Sequence, residues 1–191
     1  MNIQRKPSKD SDVESQYYLQ DLGLKIIESR QKIQFNGNSD VAVHRWTPYI
    51  LGFSHSFVFS CLQRFQRSFI GVDLHVHDPF AGCGTVLVEA QKSGEWETTG
   101  TELNPLLAYV TRVKLDSWSI DASTIWGVYS AMTFRSLASA PTFLDTERQF
   151  NKEILENLCR IRADVMAIKD EKTRDIFNIA FAAILVDSSN L

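Results

Sequence analysis

Residues 78–85 read Asp-Pro-Phe-Ala-Gly-Cys-Gly-Thr, and seventeen residues after Thr85 stands an acid, Glu102. Gly82 and Gly84, placed in a turn between a strand and a helix, let the backbone approach a ligand more closely than any Cβ would permit. Thr85 is positioned to cap the helix start, where free N–H groups favour a carboxylate or phosphate. Glu102, on a second strand-like stretch, can accept hydrogen bonds from both hydroxyls of a ribose. Asp78 can take the positive end of a ligand, or a water bound to it.

A loop offering a carboxylate acceptor and free N–H donors matches the zwitterionic methionine end of S-adenosylmethionine. A dinucleotide would instead require a third glycine three residues after Gly84, and that position is Leu87. Two glycines near a strand end can also be a purely structural turn. The Asp-Pro-Phe prefix, Glu102 and the pair Asn104-Pro105 weigh against that reading.

These residues need a scaffold, and the hydrophobic pattern supplies one. Residues 71–77 alternate as a strand does, residues 85–92 form a helix with Ser93-Gly94 as its stop, and residues 97–103 form a second strand. A second helix over 106–115 starts at Asn104-Pro105, with Asn as N-cap and Pro at the first helical position. Strands alternating with helices imply an α/β fold with parallel strands, of the doubly wound, Rossmann-like kind. Upstream, residues 1–12 are polar and expected to be disordered, and residues 13–33 carry a loose helical pattern. Downstream of Trp118, Ile154, Leu158, Ile161, Val165 and Ile168 make an amphipathic seam, and a more apolar helix covers 176–186. No further strand is expected, so the sheet is incomplete. The expected organisation is a partial domain over 13–191, with a βαβα cofactor core at 41–115 and a helical insertion at 116–191.

Composition narrows the function class. The net charge of −3 excludes a polycation, although residues 41–72 hold three arginines (Arg45, Arg64, Arg67) and no acid. That asymmetry permits a local phosphate-facing surface; solvated arginines on a helix explain it equally well. Three widely spaced cysteines (Cys61, Cys83, Cys159) form no CxxC pair, so neither a zinc site nor a disulfide framework is expected. His75 and His77 share one side of a strand but lack a third ligand. No apolar run approaches the roughly 18 residues of a membrane span, and the polar start lacks a signal-peptide core. A soluble, cytoplasmic protein with no membrane partner is the expectation.

Asp78-Pro-Phe-Ala-Gly-Cys-Gly-Thr85, Val88-Glu-Ala90, Gly100-Thr-Glu-Leu-Asn-Pro105 and Thr111-Arg-Val-Lys114 together resemble the cofactor half of DNA amino-methyltransferases. These enzymes methylate cytosine N4 or adenine N6. The upstream His44-Arg-Trp-Thr-Pro-Tyr49 and Phe53 resemble the segment that precedes this loop in members whose cofactor half comes first. There it helps to cover the methionine end of the cofactor. Residues 150–190 are similar to a helical insertion that such members place before their catalytic strand. The resemblance implies an incomplete class I methyltransferase fold. It also implies that Asp78, Phe80, Ala81, Gly82 and Gly84 cradle the methionine moiety, with Thr85 beside them. Glu102 would hold the ribose, with Leu103 beside the adenine; Asn104 would also belong to the cofactor-binding set, and Trp46 or Tyr49 would lie against the cofactor. Trp46, Tyr49 and Phe53 could equally be core aromatics.

Methylating an exocyclic amine needs more than a bound cofactor. The amine's delocalised lone pair must be oriented and polarised toward the methyl group of the donor. In the resembling family a Ser, Asp or Asn followed by Pro-Pro and an aromatic residue does this, and no two of the five prolines here are adjacent. The C5-cytosine route uses a nucleophilic Cys after Pro; the three cysteines follow Ser60, Gly82 and Leu158. No catalytic residue is therefore assigned. The expectation is a truncated or split DNA methyltransferase of a restriction–modification or genome-methylation system. It would reach DNA through a missing portion or a complementing methyltransferase polypeptide. Two alternatives stand beside it: a fragment of an RNA guanine-N2 methyltransferase, and a non-catalytic cofactor-binding or interaction module.

Overall fold

The computed structural model describes residues 38–47, 52–69, 71–94, 96–142 and 145–189. Two expectations, disorder over 1–12 and a helix over 13–33, lie outside the described residues. Within them the chain is α/β. Strands β1 (Leu74–Asp78) and β2 (Trp96–Gly100) pair in parallel, with Leu74 opposite Trp96 and Asp78 opposite Gly100. Each is the other's only strand partner among the described residues. Helix α1 (His55–Ser68) precedes β1, and α2 (Thr85–Ser93) makes the crossover between the strands. Helix α3 (Pro105–Asp116) follows β2, and α4 (Ala122–Ala131) follows a 3-10 turn at Ser117–Ser119. A single turn, α5 (Thr146–Gln149), leads into the long pair α6 (Lys152–Ala167) and α7 (Glu171–Ser188).

Strand alternation decides which side is covered. The side chains of β1 alternate between half-buried (Leu74, Val76, Asp78) and exposed (His75, His77). On the covered face Val76 and Trp96 join Val58 and Leu62 of α1 and Ala90 of α2 in one apolar cluster. On the bare face Thr99 Oγ1 lies 3.0 Å from His75 Nε2 and 2.9 Å from His77 Nδ1. The two histidines belong to no metal-holding group among the described residues. A second apolar cluster joins Cys83 of the loop to Val110 and Val113 of α3 and Ile179 of α7. It ties the helical C-terminal part to the βαβα unit.

Punctuation residues set the helix ends. Gly94, at φ +70°, stops α2 in the left-handed conformation. Asn104 caps α3 by accepting from Leu106 N at 2.9 Å and Leu107 N at 3.4 Å, with Pro105 at the first helical position. Asn104→Ala removes both bonds and should cost about 1 kcal/mol, lowering Tm by roughly 2–4 °C. An unchanged melting curve by circular dichroism would mean α3 starts elsewhere.

Against the pattern-based reading, the first strand starts at Leu74 rather than 71 and the last helix at Glu171 rather than 176. The second strand ends at Gly100 rather than running through 103. There the backbone turns, because the Glu102 carboxylate accepts from Asn104 N at 2.8 Å and folds the chain toward α3. Glu102, Leu103 and Asn104 therefore sit past the strand. Helix α4 falls within the helical insertion expected over 116–191, but no pattern marks its bounds: its residues are free of charge and none of them is buried. No helix among the described residues is long and apolar enough to cross a membrane.

Candidate functional site

The loop from β1 to α2 is built by backbone hydrogen bonds that continue past the strands. Thr101 N donates to Asp78 O and Ala81 N donates to Thr101 O, both at 2.9 Å, so the two strand exits stay together. Asp78 Oδ1 accepts from Phe80 N at 3.0 Å, which fixes the first bend. Gly82 and Gly84 then take φ values of +52° and +82°, where any other residue is strained. The Cys83 side chain turns into the core, only 3% exposed, and anchors the tip of the loop.

Helix α3 grips this loop from behind. Thr111 Oγ1 donates to Gly82 O at 2.9 Å, and Lys114 Nζ donates to Cys83 O at 3.2 Å. All peptides described are trans, so turning the Gly82 carbonyl toward α3 turns the Cys83 N–H away from it. That N–H has no partner among the described residues.

Glu102 closes the site from the β2 side. Its Oε2 accepts from Gly82 N at 2.7 Å, and its Oε1 accepts from Asn104 N. The backbone amides of Asn104 and Gly82 hold its carboxyl below the ordinary carboxylate range. Each oxygen keeps a lone pair, since an ionised carboxylate accepts about four hydrogen bonds. Flanking Glu102 are two large apolar side chains left in the open, Phe80 at 87% and Leu103 at 98% exposure. A cavity of about 250 Å³ opens beside Glu102, lined by Ala81, Leu87, Gly100, Ala108, Thr111 and Leu115 among others. Three larger hollows lie around α4, α6 and α7, one of them reaching Val43 and Trp46, and include none of the loop residues.

The sequence-derived site residues thus fall into three groups. Asp78, Phe80, Ala81, Gly82, Glu102, Leu103 and Asn104 come together at the strand exits. Gly84 and Thr85 lie at the start of α2, but not as expected. The space a Cβ on Gly84 would need is held by Thr111, whose Cγ2 would sit 2.8 Å from it, so this glycine makes room for a helix. Thr85 is not the cap: Gly84 is, and no side chain caps α2. Thr85 lies inside the first turn, its Oγ1 buried without a partner. Trp46 packs against the Cys83 cluster, in keeping with its reading as a core aromatic. Phe53 is 51% exposed. Tyr49 lies outside the described residues.

A buried pair that sequence reasoning missed holds the upstream segment in place. His44, in a 3-10 turn over His44–Trp46, is 1% exposed, and its Nε2 lies 2.7 Å from Glu89 Oε1 on α2. Lys92 Nζ reaches the same oxygen at 2.6 Å. Asn38, fully buried, donates to Phe53 O at 2.9 Å and accepts from His55 N at 2.8 Å, which joins the two ends of the segment. The one available signal was an acid, Glu89, inside the apolar run of α2. Burial pushes the Glu89 carboxyl up, but the hydrogen bonds from His44 and Lys92 prevail and hold it below its ordinary value of 4.5. A depressed carboxyl stabilises the fold above that value and loses its contribution as pH falls through the folded one. Glu89→Gln should therefore cost about 2–3 kcal/mol near neutrality. Its deficit against wild type should close below roughly pH 4.5. Urea melts at pH 7 and pH 3.5 measure both gaps; a deficit that is the same at the two pH values would sink this account.

No protein-family model, curated protein or solved structure matches the chain.

Proposed function

We propose that these 191 residues are the cofactor-binding part of an S-adenosylmethionine-dependent DNA methyltransferase acting on an exocyclic amine of cytosine or adenine. The observation that carries this reading is the 2.7 Å hydrogen bond from Gly82 N to Glu102 Oε2. It brings the acid after β2 against the glycine loop after β1, as binding of one nucleoside across two strand ends requires. The residues fit such a ligand in three further respects. Glu102 retains acceptor capacity for ribose hydroxyls. The start of α2 offers a buried hydroxyl, Thr85 Oγ1, and the Cys83 N–H, both without protein partners. Phe80 and Leu103 offer apolar surface to a purine. The cofactor would supply an electrophilic methyl group on its sulfonium; the residues described here would bind and orient it.

The sequence holds neither the Pro-Pro signature of amine methylation nor a Cys after Pro. By themselves these residues should bind the cofactor weakly and transfer no methyl group. Among the described residues the two strands have no further strand partner and one face is exposed, which supports a further portion that extends the sheet, since parallel sheets are normally covered on both faces. That portion would bring the amine-orienting residues and the contacts to DNA. The class I methyltransferase architecture, with residues 41–115 as its cofactor core, belongs to this proposal. Calorimetric titration with S-adenosylmethionine, and incubation with labelled cofactor and mixed DNA, test the two halves of the proposal. Binding without transfer is expected. Robust methylation would refute the division of labour, and no binding at millimolar cofactor would refute the site.

A further inference from the structure

Lys114 is completely buried, and among the described residues it is the only buried lysine or arginine. Buried charges are as a rule paired, because an isolated one loses its hydration without return. The buried acids on the elements packed against α3 already have partners, while Glu171 and Asp187 of α7 are exposed to solvent. Asp175 of α7 accepts from Tyr109 and Arg112 of α3 itself, and Glu89 of α2 is held by His44 and Lys92. Glu102 is taken up by two backbone amides. What faces the Lys114 amine is the glycine loop: the Cys83 carbonyl at 3.2 Å, and the Cys83 thiol as the one titratable group acting on it. Trans geometry turns the partnerless Cys83 N–H to the other side of that thin loop, and the start of α2 also holds the Thr85 hydroxyl, buried without a partner. A buried cation without an acid thus stands directly behind a set of donors without an acceptor. Both shortages are met by one anionic group on the ligand side of the loop.

We propose that Lys114 is the buried counter-charge for the anionic end of the ligand, acting through the glycine loop as a positioning residue. The inference rests on the cofactor reading above and deepens it, because it assigns the carboxylate of the ligand's amino-acid end to the Cys83–Thr85 side. Lys114 does two things from its place on α3. It keeps the Cys83 carbonyl turned inward, and its positive charge favours a carboxylate across the loop. Burial pulls the amine below the ordinary lysine range. An anion bound nearby favours the protonated form, so binding the carboxylate and holding the proton are linked. The sign follows: affinity for a carboxylate ligand is highest where Lys114 is charged, and falls as pH rises through the value of the free protein.

Two adenosine thioethers isolate this effect. One is 5′-methylthioadenosine, which has no carboxylate; the other is 5′-S-(3-carboxypropyl)-5′-thioadenosine, which has the carboxylate and no amine. Each is titrated by calorimetry into the wild-type chain and into Lys114→Met between pH 7 and pH 10. Wild type should bind the carboxylate ligand about tenfold more tightly at pH 7 than at pH 10. Its affinity for methylthioadenosine should not change. Lys114→Met should keep the methylthioadenosine affinity, which also reports that it is folded, and lose the tenfold difference between pH 7 and pH 10 for the carboxylate ligand. If wild type binds both ligands with no pH slope, or Lys114→Met keeps the slope, the counter-charge is refuted while the cofactor reading survives. If wild type binds neither ligand, the cofactor reading itself fails. Should Lys114→Met not fold, the wild-type comparison of the two ligands across pH decides alone.

Discussion

Glu102→Ala should lower affinity for S-adenosylmethionine by at least about a hundredfold, the largest effect expected of any single substitution at the site. Two losses combine. The ribose loses its acceptor, and a site built around a hydrogen-bonding group rejects strongly once that group is gone. The loop also loses its brace, since Gly82 N and Asn104 N both donate to this carboxylate. Glu102→Gln separates the two effects: it keeps one acceptor oxygen, so part of the affinity should return. Gly82→Leu should act in the same direction, because residue 82 has φ +52°. Affinity unchanged in both Glu102→Ala and Gly82→Leu would place the pocket elsewhere.

Gly84→Ala should be the most destabilising small substitution in the loop, by about 3 kcal/mol, or roughly 6–12 °C in Tm. The new methyl group would meet Thr111 at 2.8 Å from Cγ2 and 2.9 Å from Oγ1, in a residue at φ +82°. Gly94→Ala is the matched control. It has a similar φ of +70° and nothing within 4 Å, so it pays only the conformational cost, about 1 kcal/mol. Thr111→Ser in the Gly84→Ala background removes Cγ2 and should recover part of the loss. Equal melting temperatures for Gly84→Ala and Gly94→Ala would show that α3 does not press on the loop.

What was legible in the sequence was local. Gly94 as a stop, Asn104-Pro105 as a start and the alternation around Val76 each act through their own backbone or nearest neighbours, and each sits where the pattern placed it. The reading of Thr85 as a cap failed for a related reason. A threonine after glycine fits either the cap or the first turn, and here the left-handed Gly84 takes the cap position. The second strand read three residues too long because the turn at Glu102 depends on a carboxylate bonding back to Asn104, which hydrophobicity does not encode. The bounds of α4 within the expected helical stretch carried no signal, because periodicity reports burial and none of its residues is buried. The pairing of His44 with Glu89 spans forty-five residues and that of Lys114 with Cys83 thirty-one, distances over which spacing carries no signal.

The hold of α3 on the glycine loop has a consequence for how the molecule comes apart. Gly82 and Cys83 satisfy their carbonyls with side chains from a helix about thirty residues further on, not within their own turn. When α3 undocks, both of these carbonyls lose their partners, and the loop is left to the Glu102 brace and the strand-exit bonds. Amide protons of the loop and of α3 should therefore exchange in one subglobal opening event, and a molecule bound at the loop should slow exchange in α3 as well, which hydrogen-exchange measurement checks.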